Sequence, residues 1–155
     1  TEGHIDQSLF ARTILDEKNG PPPEVNLFNE KNNGESILNL IDKGYVKSAH
    51  DISLGGLLVA ISKMCIKGNK GIKINKSKNL INEIEYFFAE DQGRYLIEVN
   101  KEDLKEVTKI LNKNSVHHEE LGIITQNDMI INEKTKVTID ELKSYYTNWL
   151  SKYMS

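Results

Sequence analysis

The residues with the clearest chemical potential stand at Ala49-His50-Asp51-Ile52-Ser53-Leu54-Gly55-Gly56-Leu57, where a carboxylate and a hydroxyl precede a glycine pair that opens a helical stretch. The first N–H groups of a helix lack intrahelical partners and lie at the positive end of its dipole, so such a turn can hold an anion. A carboxylate beside it can hold the magnesium that accompanies a phosphate. The spacing therefore suits Mg-nucleotide binding, with Asp51 on the metal and Ser53, Gly55 and Gly56 on the phosphate side. It is not a Walker loop, which ends in Gly-Lys-Ser/Thr, nor the dinucleotide fingerprint, which needs a third glycine. The same residues also suit a purely structural role, with Ser53 or Asp51 as a helix cap and the glycines as a packing turn.

A second cluster, Phe88-Ala89-Glu90-Asp91-Gln92-Gly93-Arg94, sets two acids, an amide and a glycine ahead of a strand. Glu90, Asp91 and Gln92 can ligate magnesium or hydrogen-bond a polar substrate, or simply form a solvated turn. His117-His118-Glu119-Glu120 offers metal-ligating types, but neighbours in an extended segment point to opposite faces and do not chelate together. A surface strand is expected there. Cys65 shares an apolar helical stripe with Ile61 and Met64 and is expected to be a core residue, not a nucleophile. Tyr145, Tyr146, Trp149 and Tyr153 mark a core or interface face.

These clusters must be positioned by the elements around them. Leu9, Phe10, Ile14 and Leu15 can form a short helical face, which Asn19-Gly20 and the triproline Pro21-Pro22-Pro23 stop, because each proline ring restricts its own φ and the residue before it. Residues 1–25 are read as an extended arm or linker and 26–155 as one domain. Ile37, Leu38 and Ile41 predict a helix between Glu30 and Ile41, ended near Gly44. A strand over Tyr45–Ile52 leads through the Gly-rich turn to a helix carrying Leu57, Ala60, Ile61, Met64 and Cys65. Ile72 and Ile74 predict a short strand, and Leu80–Glu85 one or two helical turns. Arg94–Val99 alternates as a strand with one well-buried face. Asn100 with Asp103 resembles a capping box ahead of a helix buried through Leu104, Val107 and Leu111. His117–Ile124 and Met129–Ile131 predict strands joined as a hairpin by Gln126-Asn127-Asp128. Thr138 with Glu141 opens a last helix that bears Leu142, Tyr145, Tyr146, Trp149, Leu150 and Tyr153.

Size and charge narrow the function classes. The chain has 155 residues, enough for one domain with a sizeable core, and 38% are hydrophobic and 28% charged, which argues against disorder. Lys and Arg number 20 against 23 Asp and Glu, a net charge of -3 that draws the chain toward neither nucleic acid nor anionic lipid. The longest clean apolar run, Leu57–Ile61, falls far short of the roughly 20 residues that span a bilayer. One cysteine excludes an intramolecular disulfide framework and a multi-cysteine metal centre, and no secretory pattern opens the chain, so a cytoplasmic location is expected. Thr1 in place of a methionine is compatible with a piece of a longer polypeptide.

Four segments, in order, carry a resemblance. Gly20-Pro21-Pro22-Pro23-Glu24-Val25-Asn26-Leu27 with Glu30-Lys31-Asn32-Asn33-Gly34 resembles a "GxPPxVDLxxExxNG" run, Ala49–Leu57 an "AHDxSDGGL" signature and Glu90–Tyr95 an "ESQGRF" turn; Leu121-Gly122 also fits. The pattern is similar to the C-terminal domain of phosphoribosylformylglycinamidine synthases, relatives of aminoimidazole ribonucleotide synthase, and covers nearly the whole chain. The resemblance implies an α+β fold, a three-layer α/β/α sandwich with a mixed sheet, partly ferredoxin-like, preceded by the N-terminal arm. It implies a part in an ATP-dependent carbon–nitrogen ligase of purine biosynthesis. That enzyme turns formylglycinamide ribonucleotide, ATP and glutamine into formylglycinamidine ribonucleotide, ADP, phosphate and glutamate. ATP and magnesium are the implied cofactors. Implied partners are upstream modules of the same synthase, a glutaminase subunit or domain supplying ammonia, and a small nucleotide substrate, with neither nucleic acid nor membrane. The chain matches the second of two such modules in the family. Asp51 then falls at a magnesium-binding acid, and Glu90, Asp91 and Gln92 at a substrate-contacting turn. The family's catalytic histidine has no counterpart here, so the chain alone is expected to be inactive. Leu54 stands where the family turn carries an acid, which lowers the negative charge offered to a metal. Two other readings are a non-catalytic interaction module of that enzyme and the equivalent domain of another ATP-dependent relative. The Pro-rich segment favours the synthase over such relatives.

Overall fold

Local capping signals set where the helices begin. In the computed structural model, which describes residues 1–74 and 82–154 with the side chains of 150 and 151 excepted, Ser8 accepts from the Ala11 N–H and opens helix α1 (Leu9–Thr13). Asn26 does the same for the Asn29 N–H and opens α2 (Leu27–Asp42), three residues ahead of the predicted start. Its side-chain oxygen satisfies one of the orphan donors of the first turn, which the apolar spacing alone does not reveal. Strand β1 (Val46–Ile52) follows, then α3 (Gly56–Gly68), β2 (Gly71–Ile74), α4 (Glu83–Phe88), β3 (Arg94–Val99) and α5 (Leu104–Lys113). The chain closes with β4 (Gly122–Thr125), β5 (Asp128–Ile131), β6 (Thr135–Thr138) and α6 (Ile139–Met154). The class is α+β with a mixed sheet, as the sequence implies. Of the turns predicted over Leu80–Glu85, Leu80 and Ile81 lie outside the described residues.

The chain folds as two units. One comprises residues 1–60 and 81–119, the other 61–80 and 120–155, so α3 begins in the first and ends in the second. In the first unit β1 and β3 form a two-stranded antiparallel sheet in which Ile52 faces Arg94, Asp51 faces Tyr95 and Val46 faces Val99. Its core gathers Leu40, Val107 and Leu111, with Ile37, Tyr45, Val46, Ile97, Val99, Ile110 and Val116 packed against them. Of the predicted α5 stripe, Val107 and Leu111 lie in this core, while Leu104 is half-buried and outside it. The predicted buried face of β3 is buried only in part, since Ile97 and Val99 join the core while Tyr95 is exposed.

The α5 cap differs from expectation. Asp103 itself stands at the cap with no side-chain cap bond, and the Asn100 amide donates to the Asp103 carboxylate at 3.1 Å. The two side chains satisfy each other and leave the helix N–H groups alone. The predicted box at the last helix does form: the Glu141 carboxylate accepts from the Thr138 N–H at 2.8 Å, and the Thr138 hydroxyl accepts from the Glu141 N–H at 3.2 Å.

In the second unit the sheet order is β4-β2-β5-β6, with β2 antiparallel to β4 and parallel to β5, and β6 antiparallel to β5. This overturns the predicted hairpin across residues 126–128. Strands β4 and β5 run in opposite directions, as a turn demands, but β2 lies between them and takes the hydrogen bonds of both. The adjacent hairpin is β5–β6 instead. The predicted strand from His117 begins only at Gly122, and His118 uses its Nδ1 on the Val116 carbonyl at 2.9 Å. Ile61, Cys65, Ile74, Met129 and Ile139 are buried in this unit. Burial pushes the Cys65 thiol up to about 11, as suits an inert core cysteine. No helix among the described residues is long and apolar enough to cross a membrane.

Candidate functional site

The antiparallel register of β1 and β3 decides which sequence clusters meet. Because Ile52 ends one strand opposite Arg94, which begins the other, the turn leaving β1 (residues 53–55) and the turn entering β3 (90–93) lie at the same end of the ladder. Two clusters separated by 35 residues in sequence are thereby joined: the Gly55 N–H donates to Glu90 Oε1 at 2.7 Å.

Backbone geometry at the first turn requires its glycines. Gly55 and Gly56 have φ of +88° and +69°, in the left-handed region that side chains rarely adopt. A Cβ on Gly56 would lie 2.7 Å from the Phe88 carbonyl carbon and 2.9 Å from the Ala89 oxygen. The bare backbone thus lets the start of α3 come against the end of α4. Helix α3 begins at Gly56, with Gly55 just ahead of it, and the Gly56 N–H closes a turn onto the Ser53 carbonyl at 2.9 Å. Neither Ser53 nor Asp51 stands at the cap position.

The two acids of the second turn are taken up by the chain itself. Glu90 Oε1 also accepts from the Leu9 N–H at 2.7 Å, and the Glu90 N–H donates to the His4 carbonyl at 3.1 Å. Asp91 Oδ1 accepts from the His4 N–H at 3.1 Å. Its Oδ2 takes the Thr1 hydroxyl, the Glu2 N–H at 3.3 Å and the Arg94 guanidinium at 3.4 Å. Burial alone would raise the Asp91 carboxyl, but the bonds from Thr1 and His4 and the charge of Arg94 outweigh it and hold the group below its ordinary value. Arg94 completes the turn by donating to the Ala89 carbonyl at 3.1 Å. Carboxylates whose oxygens already accept several N–H and O–H bonds have little left for a metal.

Asp51, Ser53 and Gln92 are exposed instead. The Asp51 side chain is 68% accessible, and its Oδ1 lies 3.6 Å from His50 Nδ1. No group of three or more His, Cys, Asp or Glu that could hold a metal ion occurs among the described residues. A single exposed carboxylate nevertheless suits magnesium, which keeps most of its waters and is bound by one or two carboxylates plus phosphate oxygens. Asp51 fits that part, whereas Asp91 and the Oε1 of Glu90 are already engaged by the chain.

Reading by residue type misses Arg94, His4 and Leu9 as members of this constellation. Arg94 has a local signal, since an acid three residues before an arginine across a turn can pair with it. The other two act through backbone groups and have none.

Residues 6–132 match the family described as AIR synthase related protein, C-terminal domain. The chain is 65% identical over 154 residues to the phosphoribosylformylglycinamidine synthase subunit PurL of Pelagibacter ubique, covering 99% of this chain and 21% of that protein. It is 37% identical to the Bartonella henselae subunit of the same name, over 97% of this chain and 20% of that one. The chain therefore spans about a fifth of the length of these curated relatives. Among solved structures, Thermotoga maritima PurL complexed with FGAR superposes with a TM-score of 0.73 at 20% identity, over 86% of this chain and 24% of that one. The PurLQS structure from the same organism does so with a TM-score of 0.67 at 21% identity, over 85% and 24%. At that identity the likeness is one of fold.

Proposed function

The chain belongs to the AIR synthase related protein family, through its C-terminal domain, and from that premise we propose that it works as a module of phosphoribosylformylglycinamidine synthase. The proposed reaction is the ATP-dependent conversion of formylglycinamide ribonucleotide and glutamine to formylglycinamidine ribonucleotide, with ADP, phosphate and glutamate released. The observation that carries this reading is the 65% identity, maintained over 154 residues, to a PurL subunit.

Within that enzyme the module's own residues divide into two groups. Asp51, Ser53 and Gln92 present polar side chains outward at one end of the β1–β3 ladder and are the groups offered to a nucleotide or substrate. Asp51 would hold magnesium, whose charge, when bound, offsets that of the phosphates. Gly55 and Gly56 shape the helix start, and their N–H groups are taken by Glu90 and by the Ser53 carbonyl. Glu90 and Asp91 hold the frame. Upstream modules of the same synthase and a glutaminase supplying ammonia are the proposed partners, and the cytoplasm the proposed compartment.

One observation favours a second, scaffold-like role. Tyr145, Trp149 and Tyr153 of α6 are 81%, 62% and 83% exposed, far more than aromatic side chains of a finished surface need be. Docking of this face on the rest of the synthase would bury them.

Calorimetric titration of the chain with Mg-ADP, Mg-ATP and formylglycinamide ribonucleotide, repeated with the upstream modules present, tests the division. Binding that Asp51→Asn weakens at unchanged thermal stability supports a ligand-side role. Binding and stability both indifferent to Asp51→Asn remove the metal assignment and leave the scaffold role.

A further inference from the structure

The side-chain bonds of Glu90 converge on one atom. One oxygen, Oε1, receives the Leu9 N–H and the Gly55 N–H, each at 2.7 Å, so a single atom joins the start of α1 to the turn before α3. Leu9 belongs to a loop that is closed on itself. The Gln7 amide donates to the Lys18 and Gly20 carbonyls at 2.8 and 3.1 Å, Arg12 donates to the Gln7 side-chain oxygen at 2.9 Å, and the His4 ring meets the Pro21 carbonyl at 3.1 Å. Ser8 and Ala11 are buried, and the Phe10 and Phe88 rings lie 4.7 Å apart between centroids. The loop is thus a small folded body. It docks on the acidic turn through Glu90 and, independently, through Asp91, which takes His4, Glu2 and Thr1 but makes no bond to the Gly-rich turn.

We infer that Glu90 is a positioning residue that couples the N-terminal loop, residues 1–21, to the Gly-rich turn ahead of α3. A carboxylate oxygen shared between two N–H donors is held in place by both. When the loop leaves, Leu9 no longer restrains that oxygen, and the Gly55 N–H loses the fixed acceptor that orients it. Gly55 sits in the left-handed region with no side chain to hold it, so the turn is the element that yields. Displacement of the chain around residues 1–21 is therefore transmitted to residues 53–56 through one side chain.

The coupling is independent of what the turn binds, so its failure and failure of the nucleotide reading are separately visible. Amide hydrogen exchange of the 155-residue chain without ligand reads it, with the Leu111 amide inside α5 as the check that the unit remains folded. Asp91→Ala removes the bonds to Thr1, Glu2 and His4 and the pair with Arg94, but none to residues 53–56. It is expected to speed exchange at Leu9 and also at Gly55, the latter by roughly tenfold, the loss of one well-formed hydrogen bond. In a Glu90→Ala background the same Asp91→Ala change is expected to leave Gly55 unaltered, because the connection is already gone. Glu90→Gln, which keeps the acceptor oxygen, is expected to restore most of the Gly55 protection. If Asp91→Ala speeds Leu9 but not Gly55, or acts on Gly55 equally in both backgrounds, Glu90 makes two unrelated bonds and the inference fails. Should Glu90→Ala lose the slow Leu111 amide, Glu90→Leu, which fills more of the same space and has no acceptor oxygen, replaces it as the background. No effect of Asp91→Ala on Gly55 there supports the coupling and an undiminished one overturns it.

Discussion

Gly56 carries a demand that no other residue can meet. Its φ of +69° and the 2.7 Å approach that a Cβ would make to Phe88 backbone combine strain with overlap, and neither neighbour is a flexible side-chain end. Gly56→Ala is expected to destabilise the chain by about 3 kcal/mol, measured by urea denaturation. A cost below about 1 kcal/mol would mean that the two turns are not packed as described. Asp91 makes a prediction about pH. Its folded-state value is depressed, so its contribution is fully present above the unfolded aspartate value of about 3.9 and is lost as pH falls through the lower folded value. Stability measured between neutral and acid pH is expected to show this loss in the wild type and a shallower acid limb in Asp91→Asn. At this scale the candidate residues were legible by type, but their roles were not. Asp51 and Glu90 look equivalent as acids beside glycines, yet one is exposed and the other is taken by Leu9 and Gly55. The difference lies in backbone donors 81 and 35 residues away, which leave no mark on side-chain spacing.

Periodicity was a good guide to where helices lie but not always to which face is buried: of the α2 positions Ile37, Leu38 and Ile41, only Ile37 packs on the core, Leu38 and Ile41 are exposed, and the buried residue is Leu40, which that pattern passes over. Leu40 of α2 and Val107 and Leu111 of α5 form the core of the first unit, and Leu40 is fully buried. Leu40→Ala is expected to cost about 3 kcal/mol through lost burial and a residual cavity, against about 1 kcal/mol or less for the exposed Leu38→Ala on the same helix. Equal costs in a denaturation series would contradict the assignment of faces. Strand neighbours were less legible. The turn at residues 126–127 correctly reverses the chain, but a reversal does not say whether the two strands touch, and β2 contributes the intervening bonds from a distant segment. Strand β6 escaped notice for a related reason: Thr135-Lys136-Val137-Thr138 is short and polar, and its pairing with β5 supplies what its own pattern lacks.

At the scale of the molecule, the family was legible because four motifs occur in order over nearly the whole chain, a far stronger signal than any one of them. The exposed face of α6 was only half legible. Aromatic spacing marks a face to be buried, but not whether the partner is in the same chain, and in the structure Tyr145, Trp149 and Tyr153 remain outside. Replacing Trp149 and Tyr153 by serine is expected to change the stability of the chain by no more than about 0.5 kcal/mol each, while weakening its association with the upstream modules at least several-fold in a binding titration. A large loss of stability with unchanged association would place the face inside the fold instead. Exchange of parts decides whether the chain serves as a module of a phosphoribosylformylglycinamidine synthase. The matching fifth of the Pelagibacter ubique subunit, 65% identical, is replaced by this chain, and ATP-dependent amidine formation is assayed with glutaminase present. A chimera that folds and retains activity within about tenfold of the parent is the predicted result, since a tenfold change corresponds to only about 1.4 kcal/mol of transition-state stabilisation. A folded chimera with no amidine formation would show that the chain is not such a module.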